Sequence, residues 1–365
     1  MIPMNGFTRE PEALRRDELG AVERVLRSGW YILGKEVEAF EAQWATLIGT
    51  RHAVGVGNGL DAIEIALRIL GIGPGDEVVT TPMTAFASVL AIMRAGAQPV
   101  LADIDPRTAL LSMESVRRCI GPKTRAVLPV HLYGRVDDLK AWRALCDDAG
   151  IHLVEDCAQS HLAAWSGTRA GAAGAVGAFS FYPTKNLGAL GDGGALTTSD
   201  DDLAAKARQL RNYGQSARYH HPELGMNSRL DELQAALLRA RLSVLEQFTQ
   251  RRRAVARSYQ AGIDNPRLRL LAAPTQESSH VHHLFVVLCD ERDRLAEHLR
   301  ARGVETLIHY PIPVHRQPPC AGVRRDPRGL ENAERHGATC LSIPCHPQLT
   351  DAEVADVIRA LNEFR

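Results

Sequence analysis

The 365-residue chain is 45% hydrophobic and 24% charged, the balance of an ordinary folded globular protein. Its 43 Lys and Arg residues equal its 43 Asp and Glu residues, so its net charge gives no reason to expect nucleic acid or an anionic membrane surface as a partner. The N-terminus has no signal-peptide pattern, no apolar run approaches the roughly 20 residues of a membrane span, and the seven cysteines show no CxxC spacing. We therefore expect a cytoplasmic protein with reduced thiols.

The first half of the chain has the pattern of a parallel sheet. Amphipathic helices are predicted over residues 12–27 and 36–47, and short β-branched runs then alternate with helical stretches up to about residue 200. Such alternation is typical of βαβ units, so we predict an α/β fold with a mostly parallel sheet covered by helices. The predicted strands are 52–56, 77–81, 99–102, 126–130, 152–154, 178–181 and 194–198, with helices over 59–70, 85–94 and 139–148.

The second half has a different organisation. Residues 229–263 are predicted to form a long helix that stops before Asp264-Asn265-Pro266, and its basic run at 251–253 is expected to face solvent. Beyond it we predict strands over 284–289, 306–308 and 340–343 and helices over 291–302, 329–337 and 351–363. The predicted domains are a large α/β domain, 1–245, and a small C-terminal α+β domain, 246–365.

Two segments place polar residues at the ends of predicted strands. Gly57-Asn58-Gly59 joins a strand to a helix, where exposed N–H groups and the helix dipole favour an anion, although an ordinary turn would look the same. An apolar strand also delivers Glu155-Asp156 to its end. A carboxylate there could bind a metal, a ribose hydroxyl or a protonated ring nitrogen, or could simply cap the next turn.

A third segment holds one lysine, Lys185, between a buried strand and a glycine-rich loop. Apolar neighbours such as Phe179 and Phe181 depress the pKa of a lysine, which favours the neutral amine that imine chemistry needs. Pyridoxal phosphate (PLP) needs donors for its phosphate, a carboxylate for its ring nitrogen and a lysine for its aldehyde. The three segments together predict a PLP site, with no metal.

The motifs resemble those of the DegT/DnrJ/EryC1/StrS family of PLP-dependent nucleotide-sugar aminotransferases. The resemblance runs nearly end to end, and the motifs follow the expected order. The family implies fold type I, with a large PLP-binding domain and a smaller C-terminal domain, and homodimers with shared active sites. The motifs are SGWYILGKEVEAFE, GNGLDAI, VEDCAQSH, FSFYPTKNLGALGDGGA, RNYGQ, GMNSRLDELQAALL and HYPIPVHRQ.

The resemblance also implies roles around the cofactor ring. Lys185 would form the Schiff base and, once freed, move the proton between substrate and cofactor. Asp156 would pair with the pyridinium nitrogen, and Gln159 would lie beside the ring near its phenolic oxygen. Many relatives place an aromatic residue on the cofactor face, where this chain aligns Ala85, with Phe86 one residue later.

The phosphate has its own set of implied contacts. Ser180 would contact it through its hydroxyl, and Asn58 and Gly59 through their N–H groups. Asn227 would reach it from the partner subunit. The resemblance therefore implies that each active site uses residues of both chains.

Two residues bear on the substrate. The FYPxKNLGALGDGGA pattern resembles enzymes that aminate the C-3 keto group of a nucleotide-linked 6-deoxyhexose, whereas enzymes acting at C-4 more often carry His in place of Tyr182. Tyr182 could hydrogen-bond a sugar hydroxyl or phosphate, and His309 could orient the sugar or its diphosphate, unless it is a buried structural histidine. The implied substrates are a dTDP-3-keto-6-deoxyhexose and L-glutamate.

Three other functions share parts of this sequence pattern. A dehydratase on the same fold would carry His in place of Lys185, so the lysine argues against it. A 4-keto sugar nucleotide aminotransferase differs mainly at Tyr182 and its neighbours. A non-catalytic PLP-binding regulatory protein would keep the fold, but the joint presence of Lys185, Asp156, Gln159 and Ser180 argues against lost turnover.

Overall fold

A computed structural model describes all residues, 1–365, as eleven α-helices and thirteen strands joined by turns. None of the helices combines the length and apolar character that a membrane span requires. The helices are α1 (Glu12–Ser28), α2 (Lys35–Ile48), α3 (Gly59–Ile69), α4 (Phe86–Arg94), α5 (Met113–Cys119), α6 (Leu139–Ala149), α7 (Asp201–Leu210), α8 (Glu232–Gly262), α9 (Arg292–Ala301), α10 (Glu331–Thr339) and α11 (Asp351–Asn362). The strands are β1 (His52–Val56), β2 (Glu77–Thr80), β3 (Gln98–Leu101), β4 (Thr124–Val127), β5 (His152–Asp156), β6 (Ala164–Trp165), β7 (Thr168–Arg169), β8 (Val176–Ser180), β9 (Gly194–Thr198), β10 (Leu268–Leu270), β11 (Phe285–Cys289), β12 (Arg324–Arg325) and β13 (Cys340–Ile343).

The main sheet has eight strands in the order β1-β9-β8-β5-β4-β2-β3-β12. Only β9 runs antiparallel to its two neighbours, which confirms the prediction of a mostly parallel sheet. Since β1, β5 and β8 run in the same direction, their carboxyl ends reach one edge of the sheet. The register places Ser180 opposite Gly194, Gly194 opposite Val56, and Asp156 opposite Ala178. This edge therefore gathers the polar residues that follow the strands.

Both faces of this sheet are buried under helices. Successive side chains of a strand point to opposite faces, so neighbouring residues enter different cores. In β2, Val79 belongs to a core cluster with Phe40 and Trp44 of α2, while Val78 belongs to a second cluster with Ile65 of α3. Neither strand face needs polar residues, which explains why the strands are near-continuous apolar runs. The two cores pack on opposite faces of the sheet and thereby fix the position of its polar edge.

The C-terminal part forms a smaller antiparallel sheet, β10-β11-β13, with its own core. Helices α9 and α11 and the second half of α8 pack on that sheet. The predicted division between residues 245 and 246 falls inside α8, which continues unbroken through it. The edge strand β12 also returns to pair with β3 of the main sheet. The domain division stays a prediction.

Two expectations about this region are wrong. Residues 306–308 do not form a strand, because only Leu307 pairs, in an isolated bridge to Ser342. The basic run in α8 does not face solvent as a whole, because Arg252 and Arg253 are buried. Arg252 donates to three backbone carbonyls, including that of His283 at 3.2 Å. Helix α8 crosses the small domain at this point. Arg252 and Arg253 therefore contact the small domain, although the sequence predicts that they face solvent.

The N-terminus of α2 is capped from a distance by Glu232. Its carboxylate accepts hydrogen bonds of 2.9 Å from the N–H groups of Gly34, Glu36 and Val37, while the helix has no side-chain cap of its own. The first N–H groups of a helix have no partner inside it, and a negative charge there also complements the helix dipole. Glu232 thereby fixes α2, whose Phe40 and Trp44 build the main core.

Replacing Glu232 by Ala should therefore lower the free energy of unfolding by about 3 kcal/mol, because three donors lose a charged acceptor. Urea unfolding at fixed protein concentration measures the loss. Glu297→Ala is the matched control, since Glu297 is exposed on α9 outside the first turn of that helix. It should change stability by less than about 0.5 kcal/mol. Equal effects of the two variants would contradict the capping role.

Candidate active site

At the polar edge of the sheet, the carboxylate of Asp156 lies close enough to Lys185 to stabilise the charged form of its amine. Burial lowers the pKa of Lys185 to about 8, and the nearby carboxylate of Asp156 acts in the opposite direction. A substantial fraction of the amine is therefore neutral near physiological pH. A neutral, partly buried amine beside a carboxylate is the arrangement that imine chemistry requires.

The two adjacent carboxylates Glu155 and Asp156 point to opposite faces of β5 and have different surroundings. Glu155 accepts from His131 at 2.9 Å and from the N–H groups of Gly171, Ala173 and Gly174. Burial alone would raise the pKa of Glu155, but the bonds from His131 and the backbone outweigh it and lower that pKa. These four structural donors therefore fill the hydrogen-bonding capacity of Glu155.

Asp156 remains available on the side of the lysine. Its Oδ1 accepts from the N–H of Ala158 at 3.1 Å, and its Oδ2 accepts from the hydroxyl of Ser88 at 2.7 Å. A carboxylate can accept about four hydrogen bonds, so each oxygen keeps free capacity. Asp156 can therefore face a protonated ring nitrogen while its bonds to Ser88 and Ala158 fix its orientation.

Gln159 is held by two tyrosines that sequence reasoning missed. Its Oε1 accepts from the N–H of Tyr133 at 2.6 Å, so its Nε2 is the donor toward the hydroxyl of Tyr310 at 3.3 Å. Burial raises the pKa of Tyr310 to about 12, as does the charge of Asp156. Tyr310 therefore stays protonated beside the site. Tyr310 lies within the HYPIPVH motif, whereas no sequence pattern around Tyr133 indicates a role at the site.

The predicted anion site is a tight cradle. A Cβ added to Gly59 would lie 2.6 Å from the Cβ of Ser180, so only glycine lets the start of α3 approach that hydroxyl. The side chain of Asn58 caps α3 by accepting from the N–H of Asp61 at 2.9 Å, which leaves the earlier N–H groups for a ligand. The Ser180 oxygen accepts from the N–H of Tyr182 at 3.3 Å and so keeps its proton to donate. The cradle suits a phosphate.

The remaining predicted residues surround this centre with different exposure. His309 is partly buried, its Nδ1 lies 2.9 Å from the hydroxyl of Ser342, and burial lowers its pKa to about 4, with the charge of Lys185 adding to that shift. Tyr182 is 53% exposed. Asn227 is also exposed, next to Ser228, whose hydroxyl accepts from the N–H of Gly57. Within one chain, Asn227 makes no hydrogen bond with the cradle.

Phe86 and Ala85 lie at the start of α4. Phe86 packs against a small apolar cluster that includes Val89 and Val314, and it remains partly exposed. Ala85 is the residue preceding the helix.

The amine of Lys185, the carboxylate of Asp156 and the donor groups around Gly59 and Ser180 are the three features that a PLP-dependent enzyme needs, and here they are built on an α/β fold. The chain belongs to the DegT/DnrJ/EryC1/StrS aminotransferase family, whose sequence profile matches residues 12–362. It is therefore an aminotransferase, and PLP is its cofactor. The residues described above fit that cofactor, because the donor cradle, the carboxylate and the neutral amine match its phosphate, ring nitrogen and aldehyde.

Individual relatives resemble the chain over its whole length. It is 47% identical to a dTDP-3-amino-3,4,6-trideoxy-alpha-D-glucose transaminase of Streptomyces venezuelae, covering 100% of this chain and 96% of the relative. It is 41% identical to a dTDP-3-amino-3,6-dideoxy-alpha-D-galactopyranose transaminase of Aneurinibacillus thermoaerophilus, covering 100% and 98%. The crystal structure of S. venezuelae DesV in complex with a ketimine intermediate superposes with a TM-score of 0.95 at 47% identity, covering 99% and 98%.

The lowered pKa of Lys185 predicts how the cofactor-free protein captures PLP. The protonated amine cannot attack an aldehyde, so the capture rate should rise with pH and level off above a midpoint of about 8. Stopped-flow absorbance measures the rate. Asp156→Asn should move the midpoint to lower pH, because the carboxylate is the group that holds the pKa up.

Lys185→Ala is the control and should show no saturable capture. A midpoint near the ordinary lysine value of about 10.4 would contradict the effect of burial.

Proposed function

We propose that this aminotransferase moves the amino group of L-glutamate to the C-3 keto group of a dTDP-linked 3-keto-6-deoxyhexose. The products would be a 3-amino-3,6-dideoxy sugar nucleotide and 2-oxoglutarate. The observation that carries the proposal is the 47% identity over the full chain to a transaminase named for a dTDP-3-amino sugar. Tyr182 and the HYPIPVH segment add support from the sequence.

Two residues would perform the proton chemistry. Bound PLP supplies the electron sink that stabilises negative charge on the reacting carbon. Lys185 would hold the cofactor and, when released, take a proton from one carbon and return it to another. Its pKa of about 8 suits both directions of transfer near neutral pH. Asp156 would keep the ring nitrogen protonated, which is what makes the ring an effective sink.

The phosphate and the ring edge would be held by the rest of the predicted set. Ser180 and the first N–H groups of α3, from Asn58 and Gly59, would bind the phosphate, since each has donor capacity left. Gln159 would lie beside the ring, because Tyr133 fixes which end of its amide faces inward.

His309 and Tyr182 would orient the sugar. Because burial lowers the pKa of His309 to about 4, it is neutral at physiological pH. Its Nδ1 is engaged by Ser342, so Nε2 is the atom left for a sugar hydroxyl or a phosphate oxygen. Tyr182 presents a phenol that is 53% exposed, three residues before Lys185 in the sequence. His309 adds no charge next to Lys185.

We also propose a homodimer in which Asn227 completes the partner's phosphate site. Several large apolar side chains are exposed in the single chain, among them Trp30 at 62%, Leu190 at 58% and Leu224 at 86%. Burial of such side chains against a second chain would remove apolar surface from water. The seven free cysteines are all buried, which supports the proposal of a reducing, cytoplasmic location.

The substrate proposal predicts a choice between two keto sugars. With L-glutamate, the holoenzyme should convert a 3-keto dTDP-6-deoxyhexose to the 3-amino sugar and should leave the 4-keto isomer unchanged. NMR identifies the product, and a coupled assay follows 2-oxoglutarate. Lys185→Ala should lower kcat by at least about a thousandfold, because the group that transfers the proton is gone.

The opposite outcomes separate the alternatives. Turnover of the 4-keto sugar alone would establish a C-4 aminotransferase. A protein that binds PLP but releases no 2-oxoglutarate with either sugar would favour a regulatory role.

The shared site predicts complementation between two defective proteins. Mixed dimers of Lys185→Ala and Asn227→Ala chains contain one site in which both residues are intact. If half of the dimers are mixed, about a quarter of the wild-type activity should appear. The measurement is activity after unfolding and refolding the two proteins together, compared with refolding each alone. Activity equal to the mean of the two separately refolded variants would contradict the shared-site proposal.

A further inference from the structure

A chain of three buried side chains ends on the carboxylate of Asp156. The Oγ1 of Thr84 lies 2.8 Å from the Oγ of Ser88, and the Oγ of Ser88 lies 2.7 Å from Oδ2 of Asp156. All three residues are buried, with exposures of 3%, 1% and 5%. Water does not compete for these bonds, so each hydroxyl depends on the others.

The protons in this chain can be assigned by elimination. An ionised carboxylate has no proton and only accepts, so the hydroxyl of Ser88 must donate to Asp156. Ser88 has a single proton, and its bond to Thr84 must therefore be accepted. Thr84 donates to Ser88, and Ser88 donates to Asp156. Consecutive bonds in one direction polarise one another and strengthen the last bond, the one to the carboxylate.

The placement of Ser88 separates it from an ordinary buried serine. It lies in the first turn of α4, where a serine commonly bonds a nearby backbone group. Here its hydroxyl instead crosses to the end of β5, 68 residues further along the chain. The other carboxylate oxygen is held by the N–H of Ala158. Each oxygen of Asp156 thus has one fixed donor, which sets the plane of the carboxylate.

We propose that Ser88 is a positioning residue that aims the carboxylate of Asp156 at the ring nitrogen of PLP, with Thr84 as its second link. This inference rests on the proposed role of Asp156. A carboxylate that loses a donor becomes a stronger base. Without Ser88, the shared proton would therefore move from the ring nitrogen toward Asp156, and the ring would become a poorer electron sink.

The test compares Ser88→Ala with wild-type holoenzyme reconstituted with PLP labelled with ¹⁵N in the ring. The ¹⁵N chemical shift should move toward that of an unprotonated ring nitrogen. The dissociation constant for PLP should rise about tenfold, because a carboxylate whose plane is no longer fixed forms a weaker bond to the ring nitrogen, and a bond to a charged group is worth about that factor. With the keto sugar, kcat should fall by a similar factor while KM changes less than twofold.

Two variants and a control separate positioning from general destabilisation. Ser88→Thr keeps the hydroxyl and should restore the ¹⁵N shift. Thr84→Val removes the far link and should move the shift in the same direction but less, which also serves if Ser88→Ala does not fold. Thr249→Val is the control, because it loses a buried hydroxyl bonded to Leu245 in α8 with no link to Asp156. It should leave the shift and PLP binding unchanged.

An unchanged ¹⁵N shift in both Ser88→Ala and Thr84→Val would overturn the proposal, whatever their stability. So would a loss of PLP binding no larger than that of the Thr249→Val control. The spectroscopic and binding measurements use no sugar substrate, so their failure is distinguishable from a wrong choice of sugar. A wrong choice of sugar would appear as a lack of turnover by the wild-type enzyme.

Discussion

The balance between burial and one carboxylate at Lys185 is the constraint on which the site depends. Burial pulls the pKa of the lysine down, and Asp156 pulls it back up, with about 8 as the result. A deeper lysine without a carboxylate would be a poor base, whereas an exposed one would stay protonated and be a poor nucleophile. The protein needs both effects at one point, and the rest of the architecture supplies them.

The sheet supplies them through the direction of its strands. Because β1, β5 and β8 run parallel, their ends meet at one edge although their residues are far apart in the sequence. Two apolar cores, one on each face, fix that edge, and Glu155 is locked away by His131 on the opposite side of β5. Alternation along a single strand therefore assigns one carboxylate to structure and leaves the other for chemistry.

Much of this arrangement could be predicted from the sequence, because it depends on local patterns. The βαβ alternation gave the parallel sheet, and apolar neighbours marked Lys185 among the lysines. The contacts that position the site could not be predicted. Ser88 and Tyr133 carry no local signal, since their partners lie 68 and 26 residues away. The burial of Arg252 was missed for the same reason, because charge predicts exposure until a distant surface covers the helix.

The histidines near the lysine show how the balance is protected. Burial lowers the pKa of His161 to about 3 and that of His283 well below its usual value, and it lowers that of His309 to about 4. The lysine charge contributes to all three shifts. These rings are therefore neutral at physiological pH, so the histidines near Lys185 add no charge to its surroundings. A protonated histidine here would lower the pKa of Lys185 further and compete for Asp156. With these rings neutral, Asp156 is the charged group that acts on the pKa of Lys185, while the buried guanidinium of Arg252 helps to keep His161 and His283 neutral. A change in the hydrogen bonding of Asp156 would therefore act on the lysine.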